Sequence, residues 1–121
     1  MTTKVREGND FKLTWTIKSD ASTPLETAGI YDEHLYLVDF RGRVQVHDFQ
    51  RTANSISLEV TPTMAPVLGI YALHWVYKIP DDRFYRGYRN RAFAANVFSI
   101  VDSSAEDDNK REIEVITILN T

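Results

Sequence analysis

Large apolar and polar side chains alternate strictly along Phe11-Lys12-Leu13-Thr14-Trp15-Thr16-Ile17, directly after the turn-forming cluster Glu7-Gly8-Asn9-Asp10. Period two puts every apolar side chain on one face of an extended segment, so this stretch predicts a half-buried strand over 11–18. The pattern recurs. It predicts a strand over 34–40, with Leu35 and Leu37 opposite Tyr36, Val38 and Phe40, and Arg41-Gly42 as a tight turn into a hairpin partner over 43–49. Ala53-Asn54 turns the chain into 55–61, where Ile56, Leu58 and Val60 share a face. A longer alternation sets Tyr71, Leu73, Trp75, Tyr77 and Ile79 on one side. A short strand over 2–6 and strands over 92–101 and 112–119 complete the set.

The stretch from Ser19 to Asp32, with Pro24 and Gly29, has no periodicity and reads as a crossing loop; Pro62 to Gly69 is a second connection. No segment has helical period and none repeats. Seven or eight short strands punctuated by turns predict an all-β fold, an immunoglobulin-like antiparallel β-sandwich occupying 1–121 as one domain. Gly69-Ile70-Tyr71 opens a strand after a proline-containing connection. That is where a tyrosine corner sits, its hydroxyl bonding back to nearby main chain. An ordinary core tyrosine is the alternative.

The opening Lys4-Val5-Arg6-Glu7-Gly8-Asn9-Asp10-Phe11-Lys12-Leu13, the Pro24-Leu25 pair in the loop and Gly69-Ile70-Tyr71 together resemble a known family. It is the immunoglobulin-like N-terminal domain of the phage baseplate upper protein and related tail proteins of phages and prophages. The resemblance covers residues 4 to about 101; the acidic segment and the strand after it have no counterpart. It implies a non-enzymatic virion component that attaches to neighbouring subunits, and it transfers no catalytic or ligand residue.

One segment stands apart in composition. Arg83, Arg86, Arg89 and Arg91 interleave with Phe84, Tyr85 and Tyr88 around Gly87. Guanidinium forks take carboxylate or phosphate, aromatic faces stack, and both residue types concentrate at protein contacts. The segment is therefore the candidate binding surface, for a protein neighbour first and a glycan as the alternative. A solvated hairpin whose arginines pair with Asp81 and Asp82 is the plainer reading. Its electrostatic opposite is a solvated connector over 102–110, carrying Asp102, Glu106, Asp107 and Asp108. Complementary patches on one chain suggest contact between copies, the acidic loop of one meeting the arginine hairpin of the next. The final strand, apolar on both faces, either completes its own sheet or pairs with a neighbour's open edge.

Composition narrows the chemistry. A net charge of -3 disfavours nucleic acid as a partner. Absence of cysteine removes disulfides and thiolate nucleophiles. His34, His47 and His74 fall on separate strands without the spacing of a ligand pair, the acidic loop lacks calcium-loop spacing, and no Gly-x-Ser-x-Gly elbow occurs. No enzyme activity, metal or cofactor is expected. The N-terminus lacks an apolar leader and no run reaches a membrane span, so the expected setting is a virion or the host cytoplasm during assembly, with no membrane partner.

Overall fold

The computed structural model describes residues 2–19, 29–52 and 54–119. Pro24, Leu25 and most of the expected crossing loop, and Ala53 of the expected turn, lie outside them. Among the described residues nine strands follow one another: β1 (Thr3–Arg6), β2 (Phe11–Ser19), β3 (Tyr31–Asp39), β4 (Gly42–Val46), β5 (Gln50–Arg51), β6 (Ser55–Val60), β7 (Gly69–Pro80), β8 (Tyr88–Val101) and β9 (Glu112–Leu119). They form a five-stranded sheet in the order β1-β8-β7-β3-β4 and a four-stranded sheet in the order β5-β6-β2-β9. The architecture is that of a β-sandwich, all-β as expected.

Two expectations need correction. The strand count exceeds seven or eight, because the stretch expected as one strand over 43–49 ends at Val46 and the chain then crosses to the other sheet as β5. Val46 and the partly buried Phe49 tuck that crossing against the core. The sandwich is also not purely antiparallel: β1 runs parallel to β8, and β2 parallel to β9. Tight hairpins force antiparallel pairing only between chain neighbours; strands that meet after a long connection are free to pair either way.

The alternation read along β2 and β7 becomes the core. Leu13, Trp15, Leu73 and Trp75 are essentially inaccessible to solvent. Phe11 on β2 meets Phe98 on β8 edge-on at 4.8 Å between ring centroids, and Tyr71 stacks on the same ring at 4.9 Å, so one aromatic group locks the two layers together. Register shifts once in this ladder, where Tyr71 pairs with Phe98 but Ala72 with Asn96. The bulge lets adjacent Val97 and Phe98 both turn inward and both be buried, which strict alternation forbids.

Buried polar ends find partners. The Tyr71 hydroxyl donates to the Val67 carbonyl at 2.8 Å and accepts from the Val67 amide at 3.0 Å, the back-bond anticipated for a tyrosine corner. The Trp15 indole donates to Thr117 Oγ1 at 2.9 Å, and the Trp75 indole to Glu33 Oε1 at 2.8 Å. Glu33 also accepts from Arg51 Nε at 3.0 Å, so one carboxylate ties the five-stranded sheet to β5 of the other.

Strand β9 lies in its own sheet, in register with β2 from Lys12–Glu112 to Ser19–Leu119. Ile113, fully buried, contributes roughly 1.5–3 kcal/mol. The exposed Arg111–Asp10 pair at 3.4 Å contributes about 0–1 kcal/mol, so apolar contact and the ladder hold the strand.

Candidate functional site: the arginine–aromatic hairpin

Strands β7 and β8 are paired from Gly69–Ile100 to Pro80–Tyr88, leaving Asp81 to Gly87 as the connecting turn. Three main-chain bonds shape it: Asp81 N to Gly87 O at 2.9 Å, Phe84 N to Asp81 O at 3.2 Å, and Gly87 N to Phe84 O at 2.9 Å. Gly87 closes the turn at φ +79°, a left-handed conformation that costs glycine little.

The segment expected as one surface divides. Tyr88, Arg89 and Arg91 belong to β8, which starts four residues earlier than the strand expected over 92–101, because β7 continues the ladder through Pro80. Alternation then sends Arg89 and Arg91 to the face carrying Phe93 and Tyr88 to the opposite one. Arg91 lies over the Phe93 ring at 5.2 Å. Tyr88 meets Tyr31 edge-on and Lys78 at 4.7 Å from its ring centre. A hydrogen bond from Arg86 and the nearby Lys78 charge hold the Tyr88 hydroxyl below its usual pKa.

Asp81 organises the base. Its carboxylate accepts from Arg83 Nε at 2.9 Å and Nη2 at 2.7 Å, a bidentate pair, and from the Arg83 amide at 3.1 Å. Arg89 Nε approaches the same carboxylate within 3.2 Å but off the hydrogen-bonding line, so that contact is ionic. These bonds, those from Arg83 first, hold Asp81 at about 2, against an ordinary 3.8. Arg83 and Arg89 thus pair with a local acid. What projects is the tip: Phe84 is half exposed and Tyr85 wholly so, with Arg86 beside them.

The acidic connector is not simply solvated. Lys4 N donates to Asp108 Oδ2 at 2.8 Å, Asp108 N donates to Lys4 O at 3.0 Å, and Arg6 N reaches Asp107 Oδ2 at 3.4 Å. Arg6 Nε donates to Ala105 O at 2.7 Å. The connector therefore lies along the free edge of β1 and covers it. Asp102 caps its own turn, accepting from Ser104 N and Oγ, which keeps its carboxyl below the ordinary range. Asp102, Glu106 and Asp108 stay exposed, whereas Asp107 is half-buried. Hairpin and connector flank opposite ends of β8, whose 14 residues span roughly 46 Å, so one copy does not bring them together.

Sequence reasoning missed a cavity of about 570 Å³ bounded by Val46, Phe49, Leu58 and Met64, with Lys12 and Glu59 at its polar margin. It opens because β5 ends after two residues and leaves the second half of β6 without a partner on that side. None of its lining comes from the hairpin or the connector. Among the described residues no group of three His, Asp or Glu is placed to hold a metal, and no helix is long and apolar enough to cross a membrane. Compared with protein-family models, curated proteins and solved structures, the chain matches none.

Proposed function

We propose that the chain is a non-enzymatic structural or attachment module of a phage or prophage particle, with an immunoglobulin-like sandwich acting through contacts with its own copies and neighbouring structural proteins. The order of strands supports the fold type. β3, β7 and β8 correspond to the C, F and G strands of that fold, and β2, β6 and β5 to B, E and D. The Tyr71 back-bond falls where its tyrosine corner belongs. Two departures qualify it: β1 pairs with β8, and β9 occupies the place beside β2 where strand A would lie.

The observation that carries the functional reading is the hairpin tip. Phe84 and Tyr85 stand clear, with Arg86 exposed beside them and bonded to the Tyr88 hydroxyl, on a base clamped by Asp81, at the position of the F–G loop, one of the binding loops of variable-type sandwiches. A turn whose main chain is already held by its own hydrogen bonds presents aromatic and arginine side chains to a protein contact without the cost of ordering the loop. The complementary surface is the exposed acids Asp102 and Glu106 at the far end, so copies meet end to end. A second reading, a carbohydrate- or ligand-binding sandwich, is favoured by the bare Tyr85 ring, a face on which a sugar can stack.

Light scattering on the double variant Tyr85→Ser/Arg86→Glu separates the two. Loss of end-to-end association with an unchanged circular-dichroism spectrum supports the attachment reading. Unchanged association, combined with wild-type binding on a glycan array that the variant loses, supports the ligand reading instead.

A further inference from the structure

The cavity beside β6 is walled by main chain that nothing in the fold pairs. Parity along β2 fixes which way β6 points. Ile17 N donates to Asn54 O at 2.8 Å and Lys12 N to Arg111 O at 2.8 Å, so odd-numbered residues of β2 face β6 and even-numbered ones face β9. Lys12 stands opposite Glu59. In an antiparallel ladder such a pair turns both main chains away from each other, so the Glu59 amide and carbonyl point away from β2. On that side Gln50 meets Ser57, and β5 goes no further back. The next partners would be Asp48 and Glu59. The chain from His47 to Phe49 is instead the crossing from β4, and it makes no main-chain hydrogen bond among the described residues. A strand-shaped gap remains, with unpaired main chain on both sides. Apolar groups floor it: Val46 and Leu58 are buried, and Phe49 and Met64 partly so.

We infer that this gap is a docking slot for an extended segment of a partner protein, which enters antiparallel to β6 and takes the place that β5 leaves. Main chain is what the slot selects first. A residue opposite Glu59 exchanges both bonds with it, amide to carbonyl and carbonyl to amide. A ligand without alternating donors and acceptors leaves those groups unmet. Side-chain preference follows from parity. Glu59 is exposed on the outer face with no ion pair among the described residues, so the residue opposite shares that face and is best a Lys or Arg. Its two neighbours point inward to the apolar floor and are best Val, Ile or Leu. The wall from Ser57 to Thr61 runs about 13 Å, room for three or four residues of a strand. The volume of about 570 Å³ is in the range of formed ligand sites. Elsewhere the fold covers its own edge: at β1, Lys4 and Asp108 exchange main-chain and side-chain bonds. At Glu59 no segment of the described chain does so, and the chemistry that would is apolar–basic–apolar in extended form.

The slot shares no residue with the hairpin or the connector, so it does not rest on the attachment reading and each can fail alone. The test titrates the intact, isotope-labelled chain with the peptide acetyl-Thr-Val-Arg-Val-Thr-amide and follows backbone amide shifts by nuclear magnetic resonance. Saturable shifts are expected at Glu59, Thr61 and the segment from His47 to Gln50. The same peptide methylated on its arginine amide nitrogen is expected to lose them, and the analogue with Glu in place of Arg to bind at least about threefold more weakly. Glu59→Lys changes only an exposed side chain and is expected to reverse the order of the two charged peptides. The tip variant Tyr85→Ser/Arg86→Glu is expected to bind as wild type does. No saturable shift into the millimolar range, or shifts centred elsewhere, overturns the inference. Equal binding of the methylated peptide overturns it too, because the cavity then takes apolar groups without strand pairing. A charge order unchanged in Glu59→Lys is likewise incompatible with a strand laid against β6 in this register.

Discussion

Thr117→Val isolates the one side-chain bond that joins β9 to the buried tryptophan beneath it. Trp15 is fully buried and its indole N–H has Thr117 Oγ1 as acceptor at 2.9 Å. Valine matches threonine in shape, so the substitution removes the acceptor and leaves packing in place. An orphaned buried donor costs about 1–3 kcal/mol. For a chain of this length that lowers the thermal midpoint by roughly 5–10 °C. Thr117→Ser is the control: it keeps the hydroxyl and forfeits one methyl, worth about 0.8 kcal/mol or less at this half-buried site. Urea and thermal unfolding followed by circular dichroism should rank wild type above Thr117→Ser and Thr117→Ser above Thr117→Val, with an unchanged urea slope. If β9 lay elsewhere and Trp15 faced water, valine would match wild type and rank above serine, since its β-propensity is no worse. That order would rule out the Trp15–Thr117 bond as a stabilising contact.

Three further outcomes follow from the same geometry. Tyr71→Phe leaves the Val67 amide and carbonyl unpartnered and should cost about 1–3 kcal/mol in chemical denaturation; a loss under about 0.5 kcal/mol would mean that the corner bonds are replaced by water. Glu33→Ala strands the Trp75 indole and should destabilise more than Glu33→Gln, whose amide oxygen still accepts; equal losses would assign the effect to Arg51 alone. Asp81 is held at about 2 by Arg83, and Asp32, Asp39 and Asp102 are also lowered. A carboxylate depressed in the folded state binds fewer protons there than in the unfolded chain, so its stabilisation is complete above about pH 4 and lost as pH falls toward about 2. Urea midpoints should decline through that window, and less steeply in Asp81→Asn; a midpoint level down to its lower end would contradict the pairing.

Much of the fold was legible because burial imposes parity. The alternation along Phe11 to Ile17 and Tyr71 to Ile79 translates directly into inward and outward faces, and Gly69-Ile70-Tyr71 led to the right back-bond. Parallel pairing was not legible, since β1 and β8, like β2 and β9, meet across most of the chain and no local turn fixes their direction. Nor was the split of the arginine segment. Its composition suggested one patch, but continuation of β7 through Pro80 drew Arg89 and Arg91 into β8, and Asp81 captured Arg83. The connector looked soluble from its charges, yet its main chain and carboxylates satisfy the edge of β1, a long-range need that no window of sequence displays.

The most direct test of the hairpin as a contact surface is photo-crosslinking from position 85, with a benzophenone amino acid in place of Tyr85 and the products mapped by mass spectrometry. Adducts joining two chains are expected, with the second site on the acidic connector between Asp102 and Arg111 of another copy. Irradiation that yields only unlinked or internally linked chains, at concentrations where the protein self-associates, would contradict it.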